Sequence, residues 1–215
     1  MADRRYIVIE GPIGVGKTSL SRRLAEALDG DLLLEEAESN PFLERFYRDP
    51  RGAALPAQLF FLFQRFRQVE QLRQPDMFNS TLIADFMLEK DRMFAEINLD
   101  RHELALYERV HDSLEIEPPV PDLVVYLQAP VDTLLFRIAR RGLEIEQRMN
   151  RRYLERLTES YSRFFHAYDA APLLIVNAAT IDPVHNQEHF QVLLAEIDRV
   201  RSGRHFFNPV AAALA

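Results

Sequence analysis

Gly11-Pro12-Ile13-Gly14-Val15-Gly16-Lys17-Thr18, residues 11–18, is the stretch from which the rest of the chain is read. It has the form G-x-x-x-x-G-K-[ST]. The apolar run Tyr6-Ile7-Val8-Ile9-Glu10 precedes it, and a helical spacing of Leu20, Leu24, Ala25 and Leu28 follows it. Strand, glycine-rich turn and helix in that order are what a phosphate-binding loop needs. Glycines at 11, 14 and 16 let backbone amides turn inward and approach phosphate oxygens. The start of the helix adds its positive end. Lys17 places a point charge on the β- and γ-phosphates, and the Thr18 hydroxyl is offered to Mg²⁺. Gly11, Gly14, Val15, Gly16, Lys17, Thr18 and Ser19 are therefore the expected contacts of ATP.

Composition makes this placement informative. The 215 residues hold seven glycines, and of the 26 basic residues 24 are arginine and only Lys17 and Lys90 are lysine. Three glycines and one lysine fall within residues 11–17. A net charge of −7 argues against a nucleic-acid coat or a binder of anionic membranes. The absence of cysteine excludes disulfides, thiolate metal sites and cysteine nucleophiles. No apolar run approaches the roughly 18 residues of a membrane span, and the first residues have no signal-peptide layout. The expectation is a cytoplasmic protein.

Outward from the loop, strands and helices alternate. Short apolar runs at 6–10, 31–35, 81–85, 123–127 and 173–177 read as strands. Helical spacing covers 18–28, 56–72, 104–114, 131–140, 151–168 and 188–200. On 56–72 the apolar spacing is carried by Leu59, Leu62, Phe63, Phe66 and Val69. Asn40-Pro41 reads as a helix cap with proline at the first helical position. Runs apolar throughout and separated by helices predict a parallel sheet buried on both faces. The expected architecture is a three-layer α/β fold with five parallel strands. It forms one domain over 1–203, with an arginine-bearing lid at about 137–152 and a weakly patterned tail over 204–215.

A phosphate loop names the nucleotide, not its use. The acids Glu35, Glu36 and Glu38 follow the second strand, on the edge of a parallel sheet where ligands bind. A carboxylate there can take a proton from an acceptor hydroxyl; any one of them alone would read as a solvated loop acid. Asp85 ends the third strand, where it suits the Mg²⁺ side of the site or, equally, a helix N-cap. Arg137, Arg140 and Arg141 share one helix face just before Gly142, as a lid closing on phosphoryl oxygens would need. His185 and His189 are four apart without a third ligand and read as a solvated helix face. Phe60, Phe61, Phe63 and Phe66 read as core or cleft wall.

Together these segments resemble the deoxynucleoside kinase family, over residues 7–177. EGPIGVGKTSL is similar to that family's phosphate loop. Glu35, in EEAESNPFLERFY, matches the glutamate that activates the substrate 5′-hydroxyl. Tyr47 matches a tyrosine at the sugar 3′-hydroxyl, and Gln58, in PAQLFFLFQRF, a glutamine that pairs with the base. In RIARRGLEIEQRMNRRYL, Arg137 and Arg141 match two lid arginines, and Glu146 the acidic residue reaching the 3′-hydroxyl. Two departures stand out. Leu143 replaces the third lid arginine. After the third strand, the acidic-Arg-Ser triplet of many members is Asp85-Phe86-Met87 here. Asp85 keeps the acid, Phe86 replaces the arginine, and Lys90 becomes a candidate substrate or phosphate contact, against a surface partner of Glu89.

The resemblance implies an ATP- and Mg²⁺-dependent enzyme of nucleotide salvage. It would phosphorylate the 5′-hydroxyl of a deoxynucleoside with a purine or cytosine base, as a homodimer, with neither nucleic acid nor membrane as partner. The expected catalytic set is Glu35, Lys17, Arg137, Arg141 and Asp85, the expected metal set Thr18 and Asp85. Substrate contacts are expected from Glu35, Tyr47, Gln58, Phe86, Lys90 and Glu146. Two other readings stay open: a thymidylate-kinase-like monophosphate kinase, and a nucleotide-binding switch without small-molecule turnover.

Overall fold

A computed structural model of the chain describes residues 6–72, 81–115, 117–144 and 146–209. Among the described residues, six strands form one parallel sheet in the order β2-β3-β1-β4-β5-β6. The strands are β1 (Tyr6–Glu10), β2 (Asp31–Leu33), β3 (Leu82–Ala84), β4 (Leu123–Gln128), β5 (Leu173–Asn177) and β6 (Arg204–Phe207). Parallel neighbours require crossovers, and helices supply them. These are α1 (Lys17–Leu28), α2 (Leu43–Arg48), α3 (Ala54–Leu72), α4 (Lys90–Asn98), α5 (Arg101–Ser113), α6 (Val131–Arg141), α7 (Arg151–Ala167) and α8 (Gln187–Arg199).

The core sits on the central strands. Val8, Ile9, Ile83, Ala84, Leu123, Val124, Val125, Leu174 and Val176 are wholly or almost wholly buried. Each full burial of a Val, Leu or Ile side chain is worth about 1.5–3 kcal/mol. The outer strands β2 and β6 are mostly exposed. Helices close both faces, with Leu20 and Leu24 of α1, Leu134 and Ile138 of α6, and Leu154, Leu157 and Tyr161 of α7 packed inward. β1 lies between β3 and β4, so the phosphate loop leaves the middle of the sheet.

Several sequence expectations change. The sheet has six strands, not five: residues 204–207, assigned to the tail, pair in parallel with β5 from Leu173↔Arg204 to Val176↔Phe207. A strand paired on one side and exposed on the other carries no buried apolar run, which is why it was missed. Residues 210–215 of the expected tail lie outside the described residues. β2 stops at Leu33, which leaves Glu35 in a loop. Asn40 does not open a helix. Its Oδ1 accepts from Phe42 N at 3.0 Å and its Nδ2 donates to Ala57 O at 3.1 Å, which ties the turn to α3. α2 begins at Leu43. The short α4 was not anticipated.

The candidate active site

The backbone builds one end of the site. Gly11 has φ 147°, and a Cβ there would lie 2.5 Å from Leu127 O, so only glycine lets the loop leave β1 so close to β4. Gly16, at φ 107°, caps α1 in a left-handed conformation without a side-chain bond. The first amides of α1 thus face outward, as an anion site requires. Lys17 Nζ donates to Gly11 O at 2.8 Å, curling back over the loop. Burial, and Lys90 nearby, lower the Lys17 pKa against the pull of Glu10, Glu35 and Asp85.

Asp85 joins this end to the next. It is 2% exposed. Its Oδ2 accepts from the Thr18 hydroxyl, and its Oδ1 from Glu35 N at 2.7 Å. It caps no helix: α4 starts five residues later, after Glu89. One carboxylate therefore fixes the phosphate-loop hydroxyl and the backbone of Glu35 together.

The far end is made of side chains from separate elements. Arg65, on α3 and 3% exposed, bonds Glu35 with one terminal nitrogen and Asp91 with the other. Lys90 Nζ lies 3.4 Å from Glu35 Oε2 and 3.3 Å from Glu10 Oε1. Burial pushes the Glu35 carboxyl up, but Arg65, Lys90 and Lys17 outweigh it and bring it down to about 2. Glu35 is thus ionised at neutral pH. Asp91 moves the other way: its burial outweighs the pull of Arg65 and raises its pKa. Gln58 is 3% exposed and its Oε1 has no hydrogen-bond partner in the protein. Tyr47, Phe61, Phe94, Asn98 and Tyr153 complete this wall. Asn150 caps α7 by accepting from Tyr153 N at 2.8 Å, which sets where Tyr153 stands.

The segment after β4 closes the third side. α6 buries Leu134 and Ile138 and turns Arg140 and Arg141 outward. Arg137 donates to Val15 O at 2.9 Å and Ala178 O at 2.7 Å, tying α6 to the phosphate loop and to the end of β5. Arg141 meets Glu146 Oε1 at 3.2 Å, and Glu146 Oε2 is buried without a partner. Burial raises the Glu146 pKa.

A single cleft of about 770 Å³ gathers these groups. Gly14, Val15, Gly16, Lys17, Thr18, Ser19, Glu35, Tyr47, Gln58, Asp85, Lys90, Arg137, Arg141 and Glu146 all line it. Gly11 and Phe86 do not: Gly11 acts through its carbonyl on Lys17, and Phe86 is 1% exposed in the interior. Lys90 is not a surface partner of Glu89; it is 2% exposed.

Sequence reading missed Glu10, Arg65, Asp91 and Tyr161, which brace Glu35 and Lys90. It also missed Phe136 and residues 181–185, which line the cleft beyond the phosphate loop. His185 is exposed just before α8, and only His189 lies on that helix, half-buried. Asp182 bonds to both, with its carboxylate at His185 Nδ1 and its amide donating to His189 Nδ1. Phe61 lines the cleft, while Phe63 is 43% exposed.

A parallel sheet with a phosphate loop at its centre, and a carboxylate-bearing pocket across from it, defines a P-loop phosphotransferase. The sequence profile of the deoxynucleoside kinase family matches residues 7–201. Deoxyguanosine kinase of Bacillus subtilis is 32% identical over 199 residues, covering 89% of this chain and 95% of that protein. Deoxyadenosine kinase of Lactobacillus acidophilus is 30% identical, covering 90% and 95%. The solved structure of deoxyadenosine kinase from M. mycoides with bound dATP superposes with a TM-score of 0.78 at 25% identity, covering 89% of this chain and 98% of that one. The chain belongs to the deoxynucleoside kinase family, and it is a kinase.

Proposed function

We propose that this kinase transfers the γ-phosphoryl of ATP to the 5′-hydroxyl of a deoxynucleoside, giving the 5′-monophosphate for nucleotide salvage. The observation that carries this reading is Asp85, which bonds Thr18 on the donor side and Glu35 on the acceptor side. The ATP phosphates would lie on residues 11–18, with Arg137 and Arg141 above them. The sugar 3′-hydroxyl would meet Tyr47 and the unpartnered Glu146 Oε2, and the base would meet Gln58 Oε1 between Phe61 and Phe94.

In the transfer, the 5′-oxygen bonds the γ-phosphorus. The bond to the β,γ-bridging oxygen breaks, and its electron pair stays on ADP. The 5′ proton goes to Glu35. A carboxylate as weakly basic as Glu35 suits a loose transition state, in which the proton moves late and positioning and charge stabilisation do most of the work. Thr18 and Asp85 form the hard-oxygen pair that suits Mg²⁺, which takes one or two carboxylates and completes its shell with phosphates and water. The described residues hold no cluster of three or more His, Asp or Glu that would form an all-protein metal cage. When bound there, Mg²⁺ would neutralise phosphate charge.

No helix among the described residues is long and apolar enough to cross a membrane. A cytoplasmic homodimer is the remaining part of the proposal.

The test is transfer from γ-labelled ATP to the four deoxynucleosides and their monophosphates. Labelling of a deoxynucleoside supports the proposal. Labelling of monophosphates alone makes the protein a monophosphate kinase, and ATP hydrolysis that neither class accelerates makes it a switch.

A further inference from the structure

Lys90 occupies a costly position. It is the first residue of α4, where a cation opposes the helix dipole. It is also 2% exposed, where an ammonium must be paired. Its partners are Glu10 Oε1 at 3.3 Å and Glu35 Oε2 at 3.4 Å. Both distances exceed the roughly 2.7–2.9 Å of a tight ammonium–carboxylate bond, so neither partner holds the ammonium firmly. Glu10 itself is fixed: it is fully buried and accepts from Gly11 N at 2.9 Å, Met87 N at 3.0 Å and the Tyr161 hydroxyl at 3.1 Å. It sets a fixed carboxylate on one side of the ammonium, whose other side faces Glu35 Oε2, the oxygen that Arg65 does not bond. An ammonium has three donors, and the one hydrogen bond it makes among the described residues is the long one to Glu35 Oε2.

Several cations of the cleft are already engaged, while Arg22 and Arg140 line it farther along. Arg137 is turned onto two backbone carbonyls and Arg141 onto Glu146. Arg65 is shared between Glu35 and Asp91. Lys17 and Lys90 remain as lysines on the cleft wall, and Lys90 lies close enough to lower the pKa of Lys17.

We infer that Lys90 is a catalytic residue: its ammonium donates to the transferring phosphoryl group as that group passes to the 5′-oxygen held at Glu35 Oε2. The inference rests on the deoxynucleoside kinase reading above. Lys90 donates a hydrogen bond in the step and transfers no proton. The bond made is between the 5′-oxygen and phosphorus, and the 5′ proton leaves to Glu35.

The experiment compares wild type, Lys90→Met and Lys90→Arg. It measures kcat and the deoxynucleoside KM, the ATP dissociation constant by calorimetry, and the affinity of ADP with aluminium fluoride, which stands in for the phosphoryl in flight. The expected result for Lys90→Met is a kcat lower by about 10²-fold or more, as when a transition-state donor is removed. ATP affinity and KM should stay within about threefold and the aluminium fluoride complex should be lost, with Lys90→Arg recovering part of kcat. A Lys90→Met kcat close to wild type overturns the inference. So does a loss confined to KM, or a loss of ATP binding in both variants, which would make Lys90 a structural tie. If only Lys90→Met fails to bind ATP, Lys90→Arg decides: a tight aluminium fluoride complex supports the inference and a weak one overturns it. A wild type that labels no deoxynucleoside overturns both proposals; a wild type that does, with kcat indifferent to Lys90, overturns this one alone.

Discussion

The two ends of the cleft are built by different means. The phosphate end is backbone: eight consecutive residues, a left-handed Gly16 and the open amides of α1. The far end is side chain: Glu35 from a loop, Gln58 and Arg65 from α3, Lys90 and, behind Arg65, Asp91 from α4, and Tyr153 from α7. A site made of backbone must be contiguous, so it shows in the sequence as a motif. A site made of side chains needs only that the fold bring them together, and its residues are scattered over more than a hundred positions.

The largest expected effect tests the first kind of site. Lys17→Ala should reduce turnover below detection while the melting temperature stays near that of wild type, since Lys17 bonds only loop carbonyls. Residual turnover within tenfold of wild type would break the contrast. Next, Glu35→Gln should lower kcat by about 10²–10⁴-fold with ATP binding intact by calorimetry, because the tie to Asp85 runs through the Glu35 backbone N–H, which the substitution keeps. With its pKa held near 2, Glu35 should give the wild-type rate no acid limb between pH 5 and 8. Its contribution to stability should be constant in that window too. The depressed carboxylate adds stability above the unfolded value of 4.5 and loses it only as pH falls through about 2.

Arg65→Leu is expected to act on the fold. It leaves Asp91 buried and unpaired, a loss of about 3–5 kcal/mol, to be read by urea unfolding. Arg48→Ala provides the contrast at the small end. The Arg48–Glu44 pair joins two exposed side chains one helical turn apart, and its removal should change stability by about 0.3–0.5 kcal/mol. Equal effects from the two arginines would mean that burial does not set the importance of these ion pairs.

The same contrast explains what could be read from the sequence. The loop, the central strands and helix α6 were legible, because each is a contiguous run with one period. Glu35, Tyr47, Gln58 and Glu146 were placed by family resemblance, and all four line the cleft. Arg65 was not found because α3 was read by its apolar residues. The face that spacing favoured included Phe63 and Phe66, yet the buried face carries Ala54, Ala57, Gln58, Leu62, Arg65, Val69 and Leu72. That helix hides two polar side chains among small apolar ones and leaves a phenylalanine in solvent. The seven-residue step from Gln58 to Arg65 was the available signal, since two helical turns return to the same side. Glu10 was read as the last residue of a strand, and nothing in the local sequence tells that its carboxylate collects bonds from positions 11, 87, 90 and 161.

Asp85 divides its two oxygens between Thr18 and Glu35. The two ends of the cleft are therefore not independent: a shift of that carboxylate toward one end is felt by the other through a single rigid group. Linkage then works in both directions. Whatever factor the presence of one substrate applies to the affinity of its co-substrate must be returned in full when the order of addition is reversed.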